Sequence, residues 1–413
     1  MVVFRGARCY QRRAANQLPG CLSGHRARCL LLVAGWLATG TIACPGTASA
    51  RIITVRPGDA GDAPTIQAAV DAAGTGDIVE LADGTYSGPG NRDIDLLGKA
   101  ITVRSASGRS AECVIDCAGG RWDPPHRGFI CQTGEGAETK IIGLTITHGQ
   151  ALGTQSPEGS GGAILCRRSS PTISDCVFVG NRATSGGAVA CEFASPTFER
   201  CVFRGNTAEH GGGMQIFRHA PRLLDCRFEG NTAAGGGGVN CWAASPELRG
   251  CRFDRNAATL GGAFSCAEKA TPRLLYCVMS GNFASLGGGL LAEKAAPRLN
   301  HCTLVANSAG SGGGICGREA ALAFLHNCII AFSQQGEAIA CDESSQVEVA
   351  CTLIYGNGDG DWIGCLADWA GRQGNLWTDP LFVAGERGDF SLRPESPGRR
   401  APDGCGQAGA MSR

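Results

Sequence analysis

Three ionisable residues recur one interval apart in this chain: Asp175, Arg200 and Asp225 each precede a cysteine in a 25-residue pattern. Two carboxyl groups bridged by a guanidinium could divide general acid and general base work at a glycosidic bond. On successive coils of a stacked fold the two carboxyl groups would stand roughly 10 Å apart. The same column continues as Gly250, Tyr276 and His301, and an outward ladder of opposite charges is the simpler account of it. Asn357-Gly358-Asp359-Gly360-Asp361 spaces its oxygens as a Ca²⁺ loop does. It lacks the downstream bidentate Glu, and a Gly/Asp turn explains it equally well. No cofactor is therefore expected, with Ca²⁺ as the alternative. His210, His219 and His301 fall in different columns, which argues against a metal trio. Glu268-Lys269 and Glu293-Lys294 read as solvated alternating charges.

What would position these groups is a tandem array. Asn recurs at Asn181, Asn206, Asn231, Asn256, Asn282 and Asn307, at intervals of 25, 25, 25, 26 and 25 residues. Five residues before each stands a cysteine: Cys176, Cys201, Cys226, Cys251, Cys277 and Cys302. Phe178, Phe203, Phe228 and Phe253, then Met279 and Leu304, form a third column, and glycine pairs such as Gly186-Gly187 and Gly211-Gly212 a fourth. A further cysteine column reads Cys166, Cys191, Cys241, Cys266, Cys316 and Cys341, with Ile216 in one gap. Short apolar runs between Gly, Asn, Ser and Pro indicate strands and turns, with no helix-period stretch in the units. A unit of this length cannot bury its own apolar face, whereas coils stacked about 4.8 Å apart bury a continuous core. Stacked Asn side chains would bond from coil to coil, and the Gly pairs and the prolines from Pro171 to Pro297 would mark corners. The thiols read as core filling, because parallel side-chain vectors suit a disulfide torsion poorly. Metal binding by these columns is disfavoured, since no C-x-x-C pair or His ligand accompanies them.

The flanks differ from the array. Residues 65–73 form a short amphipathic helix, apolar at Ile66, Ala69, Val70 and Ala73, that could cover an open end. The chain thus divides into residues 1–50, a leader; 51–160, an N-terminal cap with the first coils; 161–356, the regular repeats; and 357–413, an irregular tail carrying Trp362, Trp369 and Trp377. The leader has Arg26 and Arg28 before an apolar run at 29–37 and a small-x-small site at Ala48-Ser49-Ala50. It reads as an export signal whose unusually long basic region suggests a start codon further downstream, with a lipid-anchored Cys44 as the alternative. No stretch after it could cross a membrane. Lys+Arg and Asp+Glu both number 37, so nothing electrostatic points to nucleic acid as a partner.

The starts Gly-Gly-Ala-Ile (161–164) and Gly-Gly-Ala-Val (186–189), each with a following Phe-x-x-Asn, resemble the repeats of polymorphic outer-membrane proteins. Thr65-Ile66-Gln67-Ala68-Ala69-Val70 with Asp83-Gly84-Thr85-Tyr86 resembles the opening of pectin-lyase-like right-handed β-helix proteins. The tail resembles that of secreted bacterial β-helix proteins, but Val383 and Gly398 stand where those carry cysteines. The resemblance thereby implies Cys365 and Cys405 as a candidate pair here. Together these features imply an all-β, right-handed, single-stranded parallel β-helix of ~25 residues per coil with an N-terminal capping helix. The expected role is an exported or surface module that binds a polysaccharide or a cell-surface protein without catalysis. The alternative is a polysaccharide lyase or glycoside hydrolase acting on acidic polysaccharide. Neither a Gly-Asp-Asp nor a Gly-His-Gly triplet is present.

Overall fold

The computed structural model describes residues 49–413 except 59–60, 119–123, 401–403 and 411–413. The leader, apart from its last two residues, and the alternative anchor Cys44 lie outside the described residues. The rest winds as a parallel β-solenoid of about 12 coils, counted from its longest sheet. In one representative coil, sheet I contributes Thr172–Ser174, sheet II Val177–Val179, sheet III Arg182–Ala183 and sheet IV Val189–Glu192. Sheets I, II and IV hold 12, 11 and 10 strands, while sheet III is a run of four and a separate pair. Every neighbour within these sheets is parallel and one coil away, as in Phe178 beside Phe203 and Phe203 beside Phe228.

The coil turns at single residues. Asp175, Gly180, Gly186 and Phe193 separate the four strands, with φ of 56°, 65°, 70° and 52°. One left-handed residue reverses the pleat and swings the chain within one peptide, so a coil closes in 25 residues. Two corners use Gly throughout most of the array. The other two carry larger side chains at a cost of about 1 kcal/mol each.

Inside, the Phe column stacks, with ring centroids 4.4 Å apart for Phe203–Phe228 and 4.8 Å for Phe228–Phe253. Beside it runs the Asn column. The Nδ2 of Asn206 donates to Asn231 Oδ1 (3.0 Å) and to Phe178 O (3.0 Å), and the Asn206 backbone N–H donates to the same Asn231 oxygen (3.0 Å). The pattern repeats from Asn181 through Asn307. Each amide thus satisfies buried groups of the coil before its own and of the coil after it.

Cys176, Cys201, Cys226, Cys251, Cys277 and Cys302 lie buried just past the sheet I corner, all as free thiols. Each offers its S–H to a carbonyl of the preceding coil, for example Cys251 to Leu223 O at 3.4 Å and Cys302 to Leu274 O at 3.4 Å. A thiol is small and apolar enough for the core yet still donates to a backbone carbonyl there. Burial pushes the thiols of Cys176, Cys201, Cys251 and Cys277 well up, so these stay protonated and inert. Unfolding without reductant is expected to expose 15 reactive thiols among the 19 cysteines from Cys113 onward. A count below half in an Ellman titration would mean that the columns bridge.

The second cysteine column differs from expectation. Strand pairing runs Cys241, Cys266, Ala292, Gly317 and Cys341, while Cys316 pairs with Leu291 and Ala340. The 26-residue coil shifts the register by one, and in a strand one residue changes the face. Cys316 therefore packs with Leu291 and Ala340 in a small cluster outside the main core, against Leu260 and Leu286.

Both ends are covered. The helix Ile66–Ala72, N-capped by Thr65, buries Ile66, Ala69 and Val70 over the first coils. Lys99 Nζ reaches its last carbonyls, Val70 O (2.7 Å), Asp71 O (2.9 Å) and Ala73 O (2.9 Å), and a cation there also suits the helix dipole. At the other end, Trp362, Leu366 and Trp369 pack on the last coil. The tail then folds back along sheet II. Its Phe382, Leu392 and Ala408 cover Val305, Ile329, Ala331 and Leu353, and Gly388 O accepts from Arg252 at 3.3 Å.

Two disulfides fasten this end, Cys341–Cys365 and Cys351–Cys405, correcting the expected Cys365–Cys405 pair. Cys341 ends its column with no coil above it, facing the turn that holds Cys365. Cys351 occupies the sheet I corner (φ 54°), from which the returning tail is within reach.

Candidate functional site

Asp175, Arg200 and Asp225 stack along the exposed sheet I corner. Arg200 grips Asp175 with two bonds, Nε to Oδ1 (2.7 Å) and a terminal nitrogen to Oδ2 (2.8 Å). The guanidinium holds the Asp175 carboxyl below the usual carboxylate range. Asp225 instead lines a cavity of about 650 Å³ with Arg249, Arg252, Tyr276 and the tail residues Gly388 and Asp389. The two carboxyl groups therefore share no cavity, and Asp175 is committed to its ion pair. Glu268, Lys294 and Glu319 likewise bridge neighbouring coils, at 3.7 and 2.8 Å.

The Ca²⁺ candidate spends its oxygens on N–H donors. Asn357 Oδ1 accepts from Ser333 N (3.1 Å), Asp359 Oδ2 from Gly336 N (2.8 Å), and Asp361 from Gly356 N (3.0 Å), Asn357 N (2.9 Å) and Trp377 Nε1 (2.9 Å). Asn357 acts as a structural amide near the end of the stack, its Nδ2 donating to Ile330 O at 3.1 Å. Among the described residues no group of three metal-ligating side chains is close enough to hold an ion.

A different constellation gathers between sheets III and IV. The outward columns of sheet IV read Ala190, Gln215, Asn240, Ser265 and, two residues on, Glu192, Phe217, Trp242, Ala267. Asn240 Nδ2 donates to Gln215 Oε1 at 2.8 Å, giving a carboxamide pair in the floor. Trp242 is 43% exposed beside it. Phe217 meets the corner residue Phe193 edge-on at 5.4 Å, and the Arg218 guanidinium lies over both rings.

The loop before the array closes one end. Gly153–Ser156 and Gly159–Ser160 line a cavity of about 400 Å³ with Arg167, Glu192, Glu209, His210, Gln215 and Phe217. Glu192 anchors the loop by accepting from Ser156 Oγ and, at 2.6 Å, from Ser160 Oγ. Arg127 fixes it from below through Ser160 O (2.9 Å) and Glu158 O (3.0 Å). Arg167 Nε is buried 3.8 Å from Glu192 Oε2, an ion pair without a direct hydrogen bond. Flat carboxamides beside an exposed indole can hold a hydroxyl-bearing ring by hydrogen bonds and stacking.

Sequence reasoning missed this site because none of its residues repeats. A signal was nevertheless present: Trp242 is the only tryptophan between Asn181 and Asn307, and Gln215 and Asn240 interrupt a small or apolar column.

Residues 127–316 match the family described as right handed beta helix region, and the coils wind accordingly as a right-handed parallel β-helix. No curated protein matches the chain. Among solved structures it is similar to pectate lyase Pel9A, at 15% identity and TM-score 0.49 over 89% of this chain and 98% of that one. It is also similar to the PL6 family alginate lyase AlyGC, at 13% identity and TM-score 0.42 over 88% of this chain and 57% of that one. Among the described residues no helix is long and apolar enough to cross a membrane.

Proposed function

We propose that this β-helix is an exported carbohydrate-binding module that holds a hydroxyl-rich glycan on sheet IV without cleaving it. The observation that carries the reading is Trp242, exposed and aligned with Phe217 beside the Gln215–Asn240 carboxamides. A sugar ring stacks its C–H face on an indole while carboxamides take vicinal hydroxyls, and neither contact requires a charge on the ligand. The repeats' resemblance to polymorphic outer-membrane proteins supports a place at the cell surface. Export is supported by the leader in the sequence and by the two disulfides of the tail, which suit an oxidising compartment.

The test is tryptophan fluorescence against cello-, manno- and xylohexaose, with polygalacturonate as the acidic control. Saturable binding to a neutral hexaose is expected, weakened about tenfold in Trp242→Ala and unchanged in Asp175→Ala. New reducing ends or unsaturated products, lost in Glu192→Gln, would instead make this a lyase or hydrolase. Binding indifferent to Trp242 would move the site elsewhere.

A further inference from the structure

Arginines on sheets II and IV of this solenoid pair with carboxylates of neighbouring coils, whereas sheet I carries a run that does not. On sheet II, Arg204 pairs with Glu229 (2.8 Å) and Arg227 with Glu229 and Asp254 (2.5 and 3.4 Å). On sheet IV, Arg318 pairs with Glu293 and Glu319 (3.3 and 3.0 Å). On sheet I, Arg249, Arg273 and Arg298 are exposed, on three successive coils, and none forms an ion pair among the described residues.

Arg273 and Arg298 border a groove of about 560 Å³ that runs over Leu275, Asn300 and Phe324 and ends against Trp369 of the C-terminal cap. The Asn300 side-chain oxygen is buried there with no hydrogen-bond partner. One carboxylate, Glu348, stands at the far end.

We infer that this groove docks an acidic segment of a partner protein, laid across the coils with carboxylates at Arg273 and Arg298. Charge complementarity selects an anion, because two guanidinium groups that form no ion pair among the described residues, Arg273 beside Glu247 of the preceding coil included, stand at one trough. The lining selects a peptide over a sugar. The face of Phe324 is occupied by the Arg298 guanidinium at 4.1 Å, and Trp369 is partly buried against the core, which leaves little ring face for a sugar to stack on. Leu275 and Ala350 accept apolar side chains instead, and a peptide N–H supplies the donor that Asn300 lacks. Residues 1–48 of the chain itself contain no Asp or Glu and cannot be the occupant. The inference is independent of the glycan reading, which concerns the opposite columns of sheet IV.

The experiment is fluorescence anisotropy of the full chain with a labelled decapeptide of alternating Glu and Leu, a Lys-Leu counterpart and labelled hexagalacturonate. The Glu-Leu peptide is expected to bind, with the Lys-Leu peptide inert and affinity falling as NaCl rises. Arg273→Gln with Arg298→Gln is expected to weaken binding about tenfold with an unchanged melting midpoint. Glu348→Gln is expected to tighten binding, a gain that an unfolded variant cannot mimic. Absence of Glu-Leu binding, indifference to both variants, or tighter binding of hexagalacturonate than of the peptide would overturn the inference.

Discussion

Asn231→Ala is expected to destabilise the middle of the solenoid by about 4 kcal/mol, the cost of two orphaned donors and two under-used acceptors in a dry interior. The Asn231 carboxamide oxygen is the sole recorded acceptor for the Asn206 backbone N–H and one of two for its Nδ2, at 3.0 Å each. Its own Nδ2 serves Phe203 O and Asn256 Oδ1, both at 2.9 Å. Water cannot substitute, because Asn206, Asn231 and Asn256 are at most 1% exposed. Coils couple mainly to their neighbours, so the loss should appear as faster amide exchange in the coils from Asn206 to Asn256, with the N-terminal coils little changed. The same change at Asn307, where no further Asn follows directly, is expected to cost less. If Asn231→Ala unfolds in denaturant within about 1 kcal/mol of the parent, the ladder is ornament and the Phe column carries the stack.

Gly212→Ala should be at least as damaging, for a steric reason. A Cβ on Gly212 would meet Gly237 O at 2.5 Å, Thr232 O at 2.6 Å and Thr232 N at 2.8 Å, all backbone of the next coil. None of these atoms can move without parting two coils whose strands are hydrogen-bonded on both sides. A loss of about 3 kcal/mol or insoluble expression is expected. Gly230→Ala is the control: its φ is 58°, but nothing lies within 4 Å of the added carbon. It should cost only the left-handed strain of about 1 kcal/mol. Equal melting points for the two variants would show that conformation, and not coil spacing, is what the glycine pairs protect.

These two positions also show where the sequence was legible. The spacing of Asn, Phe and Gly announced stacked coils because each interior residue meets its own counterpart one coil away. The resulting demand for identical neighbours prints the period into the chain. The helix over the first coil was legible for a related reason, since its apolar positions follow a 3.6-residue rhythm foreign to the array.

Departures came where that demand lapses. The 26-residue coil moved Cys316 out of the column its spacing implied, and only the strand register Leu291–Cys316 reveals it. The disulfide partners of Cys341 and Cys351 depend on how the tail returns, which no repeat dictates. The apolar outer residues Val305, Ile329 and Leu353 gave a readable hint of that return, since an uncovered sheet face would be polar there as it is at Arg227 and Asp254.

By itself, then, the amino-acid order determined the coil length, the parallel stacking and the inward columns, because burial repeats identically from coil to coil. The exterior chemistry was decided by tertiary structure alone. Asp175 and Asp225, equal by spacing, part company once Arg200 claims the first and the tail walls in the second. Gln215, Asn240 and Trp242, which share no repeat column of their own kind, become one surface because the stacked coils set them side by side on sheet IV. Solvent-facing positions answer to a ligand or to a returning segment and to no neighbour of their own kind, so they carry no period to read.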